Sequence, residues 1–212
     1  VNEDECILGV APNSKIELQA TAPSDSLYAL QNNMKFIKHD KYYQKILSQI
    51  KEEVVVAVVD SGSDQLNPDL EGRHWRNTVE QNGQVGVDDD GNGFVDDIFG
   101  YSWACYIGGD KPFYAWWMPH GEHVSGIIAA VTDNNIGISG VAGQKAKIMN
   151  LNVIYTGNPA FPCNGGEQDL VLAIRAIRYA ADNGARVVNL SMGTFGRNSM
   201  MEDVMRYAVS KG

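Results

Sequence analysis

Cysteine is scarce in this 212-residue chain, and the three present, Cys6, Cys105 and Cys163, form neither a CxxC pair nor a Cys/His zinc spacing. They leave one disulfide plus a free thiol, or three reduced thiols, equally open. An excess of basic residues is also missing: 17 Lys and Arg face 26 Asp and Glu, a formal net charge of −9. Such a chain gains nothing from counterion release on nucleic acid and offers no polybasic patch to anionic lipid. No apolar run approaches the ~18 residues needed to span a bilayer. Neither a GxGxxG fingerprint nor a P-loop follows the apolar run at 54–59, which argues against a nucleotide-binding α/β enzyme. The chain starts at Val1 with no basic n-region or apolar h-region, as expected if a leader was removed or the start lies inside a longer protein. What is present, at 44% hydrophobic residues, suffices for one well-cored domain without disulfide stapling.

Residues 1–24 read as an irregular lead-in or linker and 25–212 as one partial domain. Tyr43, Ile46, Leu47 and Ile50 follow the i, i+3, i+4, i+7 rule and predict a helix over 40–52. Residues 54–59 are an unbroken β-branched and Ala run, apolar on both faces, which predicts a parallel strand covered by helices. The Asn-, Asp- and Gly-rich stretch 67–99 predicts loops. A helix is expected over 120–131, a strand over 147–153 and a helix over 167–183. That last helix would bury Leu170, Ala173, Ile174, Ile177 and Ala181 and stop at Gly184. Residues 186–191 predict a buried strand, which would shield the sequon Asn189-Leu190-Ser191 from glycosylation. Ser199-Met200-Met201-Glu202 has the pattern of a capping box opening the final helix. Strands alternating with helices predict a three-layer, doubly wound α/β fold on a mostly parallel sheet, with sites at the carboxyl ends of the strands.

Asp60 ends the first buried strand and His120 opens a later helix. A carboxylate at an apolar strand end is costly unless something binds it. An imidazole at a helix N-terminus is kept neutral by the macrodipole, as a general base requires. His120 and His123 are three apart, with Glu122 before the second, which rejects the zincin arrangement. Aspartate followed by histidine is the chain order that precedes the serine in one form of the hydrolytic triad. Separately, Asp88, Asp90, Asn92 and Asp96 place oxygen ligands at even-numbered positions, with Gly93 allowing a sharp turn. This matches the first half of an EF-hand-like Ca²⁺ loop, although Phe99 stands where the bidentate Glu would be.

Four stretches carry a resemblance. Val55-Val56-Ala57-Val58-Val59-Asp60-Ser61-Gly62, followed by Asn67-Pro68-Asp69-Leu70, resembles the aspartate motif of the subtilases, the subtilisin-like serine proteases. His120-Gly121-Glu122-His123-Val124-Ser125-Gly126 resembles their histidine motif, and residues 137–143 are similar to the Gly-Val-Ala-Pro stretch that follows it. Val187-Val188-Asn189-Leu190-Ser191-Met192-Gly193 resembles their substrate-pairing strand. The resemblance implies a subtilisin-like fold truncated at its C-terminus. In it Asp60 orients His120, His120 is general base and acid, and Ser191, Met192 and Gly193 hold the peptide. The family's oxyanion Asn and its Gly-Thr-Ser-Met-Ala nucleophile segment do not occur here, so the serine is expected beyond residue 212. A second Ca²⁺ site is implied at Asp25, Asp69 and Asn134, with the carbonyls of Thr132, Ile136 and Ile138. A secreted or secretory-pathway endopeptidase is the leading expectation, acting on protein or peptide, with a pro-segment inhibitor among the partners such enzymes have. The alternative is a catalytically inactive domain kept for protein binding. It is motivated by Glu122, where the family usually has Thr, and by the aromatic run at 113–118; a carboxylate there is expected to act on the imidazole or crowd the cleft.

Overall fold

The computed structural model describes residues 22–47, 49–104, 119–154, 170–193 and 196–212. The three cysteines and the aromatic run 113–118 lie outside these residues. The described elements are, in chain order, α1 (Asn32–Phe36), α2 (His39–Leu47), β1 (Val54–Asp60), α3 (Thr78–Asn82), β2 (Gly100–Ser102), α4 (His120–Ala129), β3 (Ala146–Asn152), α5 (Leu170–Asp182), β4 (Val187–Asn189) and α6 (Ser199–Lys211). The strands form one sheet in the order β2-β3-β1-β4, and every pair is parallel.

β1 is central because it can afford to be: its side chains are apolar on both faces, so both can be covered. Ala57 and Val59 of β1, with Met149 and Leu151 of β3, pack under α5 and α6. Val56 and Val58, with Ala146 and Ile148, pack under α4 through Ala129, Val124 and Ile128. The period of two along each strand thus sorts residues between two helical layers, and the result is a helix–sheet–helix sandwich.

Several expectations need correcting. The stretch 67–99, expected as loops, contains α3, and β2 follows directly on it where the sequence suggests no strand. The first residue of β2, Gly100, has φ +112 and lies so close to β3 that a Cβ would sit 2.1 Å from the Asn150 carbonyl oxygen. The glycine that hides this strand in the sequence is what lets it approach. α2 spans His39–Leu47 rather than 40–52, and Ile50 instead lines an apolar groove beside Val54 and Val187. α5 buries Leu172, Ala173, Ala176, Ile177, Tyr179 and Ala180, a face rotated from the stripe the periodicity suggests. It packs on α6 as well as on the sheet, so two partners share its buried residues. The cap of α6 is Asn198, whose side chain accepts from Met201 N–H at 3.0 Å, and Glu202 pairs with Arg197 rather than reaching back. β4 is three residues long with Val187 exposed and Asn189 half-buried, because among the described residues only β1 flanks it.

Candidate active site

β1 delivers Asp60 to the carboxyl edge of the sheet, where its side chain is fully buried. One oxygen accepts from Ser61 N–H at 2.7 Å. The first residue of α4, His120, sets Nδ1 at 2.8 and 2.9 Å from the two Asp60 oxygens. The imidazole is 51% exposed, so one ring edge is tied to a buried carboxylate while the ring remains open to solvent. That asymmetry can orient a tautomer: Nδ1 keeps its proton toward Asp60, and Nε2 keeps a lone pair for a proton from outside.

The helix start is held on the same strand end. Gly121 N–H donates to Ser61 Oγ at 3.0 Å. A Cβ on Gly121 would lie 2.4 Å from the Gly62 carbonyl oxygen, so only glycine lets α4 come this near. Glu122 corrects an expectation. Its carboxylate neither crowds the ring nor pairs with it; it accepts from Asp64 N–H at 2.6 Å and from the Asn67 side-chain amide. Burial raises its pKa, opposed by those two hydrogen bonds.

The serines near the dyad are engaged or enclosed. Ser61 Oγ accepts from Gly121, and Ser63 Oγ is 3.3 Å from Nε2 of buried His74, whose pKa burial pushes down to about 4. Ser125 is fully buried within α4. Ser191, Met192 and Gly193 continue past β4 outside any described strand, with Ser191 and Gly193 exposed. The pairing of β4 with β1 ends at Val58 and Asn189, two residues before Ser191.

The family model described as Subtilase family matches residues 51–212. The chain belongs to the subtilase family. Among its relatives, Subtilisin-like protease 1 of Plasmodium berghei (strain Anka) is 37% identical over 118 residues, 56% of this chain and 19% of that protein. Thermitase of Thermoactinomyces vulgaris is 40% identical over 93 residues, 44% of this chain and 30% of that protein. The chain therefore spans only a minor part of the length of these relatives. A solved protease structure from Pseudoalteromonas arctica superposes with a TM-score of 0.54 at 25% identity, covering 91% of this chain and 57% of that one.

Elsewhere in this subtilase chain, the acidic loop is organised differently from its linear pattern. Glu80, Asp88 and Asp90 bring ligand-capable oxygens within 4.8 Å of one another. Glu80 sits on α3, eight positions before Asp88, and no loop motif contains it. Asp96 turns away instead, and both its oxygens accept from Gly86 N–H at 3.0 and 2.9 Å. Asn92 Oδ1 accepts from Phe94 N–H, while its amide donates to Asp90 and Asp97. Three converging carboxylates, one of them buried, suit a hard divalent cation. The second cluster is also gathered: Asp69 accepts from Asn134 Nδ2 at 3.0 Å and Ile138 N–H at 2.8 Å, and Asp25 from the N–H groups of Asp133 and Asn134. Asn134 Oδ1 accepts from Ile136 N–H, and the Thr132 carbonyl from Gln144. Each carboxylate oxygen there already serves the loop and has one lone pair left for a cation.

Proposed function

We propose that this chain supplies the aspartate and histidine of a serine endopeptidase, with the nucleophilic serine outside residues 1–212. The carrying observation is the contact between His120 Nδ1 and both oxygens of fully buried Asp60, with the ring half open to solvent. Asp60 fixes the Nδ1–H tautomer and stabilises the imidazolium. His120 Nε2 takes the serine proton as the hydroxyl attacks the peptide carbonyl, then gives it to the departing amine. Water repeats the two transfers to release the acyl group. The exposed 191–193 segment would receive the substrate backbone as an added strand.

The apolar groove of about 330 Å³ beside Val54, Val56 and Val187 leaves part of the α4 face of the sheet uncovered at the amino ends of β1 and β3, the end of the sheet opposite Asp60. The inactive-domain alternative loses one of its motives, since Glu122 is turned toward Asp64 and Asn67. Ca²⁺ is proposed at Glu80, Asp88 and Asp90, where it would supply charge balance and loop rigidity. A second Ca²⁺ is proposed at Asp25, Asp69 and Asn134 with the carbonyls of Thr132, Ile136 and Ile138. Such sites fit the millimolar calcium outside cells, and we place the protein in the secretory route on that ground. The test is a fluorophosphonate probe with a peptide assay. Full-length protein should label at one serine and cleave peptide, and residues 1–212 alone should do neither. Labelling of the isolated 212 residues would sink this reading.

A further inference from the structure

The first turn of α4 has no side-chain cap of its own: Pro119 occupies the N-cap and offers none. What holds it is a clasp of three consecutive residues onto the segment that follows β1. His120 bonds to Asp60, Gly121 to Ser61, and Glu122 to Asp64 and Asn67. The first two lie at the strand end, and the third reaches several residues further along the same segment. Both Glu122 oxygens are used, Oε2 by Asp64 N–H and Oε1 by the Asn67 amide. Asn67 is itself anchored, since its Oδ1 accepts from Asp69 N–H at 2.9 Å and caps the turn Pro68–Leu70. The side chain of Glu122 thus joins two elements, the helix that bears the imidazole and the turn that follows the buried aspartate.

We propose that Glu122 is a positioning residue for His120: its carboxylate locks the first turn of α4 onto the 64–67 turn and so keeps Nδ1 facing Asp60. The role takes its functional meaning from the protease reading. A threonine side chain is too short to span both donors, and glutamine offers one acceptor oxygen but turns an amide group toward a second donor. Without the clamp the helix start can rock, and the half-exposed ring can leave Asp60 for water. A catalytic group displaced by a fraction of an ångström loses much of its rate even when the fold is intact.

The test reads the ring directly. In full-length protein with ¹⁵N-labelled histidine, the His120 ring-nitrogen shifts at neutral pH report which nitrogen carries the proton, and His120→Gln assigns the signal. Wild type should show one Nδ1–H tautomer, Glu122→Gln an admixture of the Nε2–H form, and Glu122→Ala a more even mixture. In Glu122→Ala, kcat per titrated active site should fall about tenfold with KM changed less than about twofold. An unmixed Nδ1–H tautomer in both variants overturns the proposal, whatever their melting temperatures. If Glu122→Ala does not fold, the same signal in Glu122→Gln decides. Wild-type protein that shows the tautomer yet neither cleaves peptide nor labels with fluorophosphonate overturns the protease reading and leaves the positioning role standing.

Discussion

Asp60 and Asp97 are both fully buried, and they are held in opposite ways. Asp97 is enclosed by neutral donors: the amides of Asn77 and Asn92 at 2.7 and 2.8 Å and the Tyr179 hydroxyl at 2.6 Å. Burial raises the pKa of both Asp97 and Tyr179. Among the described residues Asp60 takes the Ser61 N–H as a local donor and a titratable partner that is half in solvent. The first arrangement staples the acidic loop to α5. The second leaves its partner, the His120 imidazole, half open to solvent. A buried carboxylate is thus structural or chemical according to whether its partner can exchange protons with the outside.

That contrast can be broken by substitution. In full-length protein, Asp60→Asn should cost about 10⁴-fold in turnover, because the amide no longer fixes the Nδ1–H tautomer. Its folding stability should stay within about 1 kcal/mol of wild type, since the Ser61 donor keeps an acceptor. Comparable activity in the variant would refute the role of Asp60. Asp97→Ala should do the reverse in urea unfolding and cost about 3–5 kcal/mol, by leaving three enclosed donors without their acceptor. Turnover of the protein that remains folded should change little.

His74 sharpens the same point with a third enclosed group. Burial holds its pKa at about 4, below the ordinary histidine value of 6.5, so the unfolded chain binds this proton first as pH falls. Stability is therefore full above pH 6.5 and declines as pH drops toward 4, by about 3 kcal/mol from this group alone. His74→Gln should flatten that part of the pH–stability curve; a curve with the wild-type slope would show that other groups set it. Calcium at one hundred times its Kd should add about 2.7 kcal/mol. Glu80→Gln and Asp88→Ala should remove most of that gain, and Asp96→Ala little, since Asp96 faces Gly86. Calorimetry that detects no calcium binding would end the metal proposal. The smallest effect is expected for Tyr179→Phe, about 1 kcal/mol, because Asp97 keeps its two amide donors.

Elements with a clear period were legible in advance. β1, β3 and α4 fall within about two residues of their expected bounds, because a two-face apolar run or a helical repeat is a local property of the chain. β2 escaped because its identity as a strand comes from pairing with β3, and its opening glycine gives no local sign of that. The buried face of α5 was misjudged because two partners, the sheet and α6, divide it, whereas periodicity assumes one.

The sequence by itself determined the layered α/β class, the family, and the presence of an aspartate at a strand end and a histidine at a helix start. Those are matters of residue type, order and local period. Only the tertiary structure decided which groups touch: that Nδ1 of His120 faces Asp60, that Glu122 serves Asp64 and Asn67, and that Glu80 replaces Asp96 beside Asp88 and Asp90. Each of these contacts joins residues from separate elements. A hydrogen bond demands a fit of a few tenths of an ångström, and only the packing of those elements supplies it.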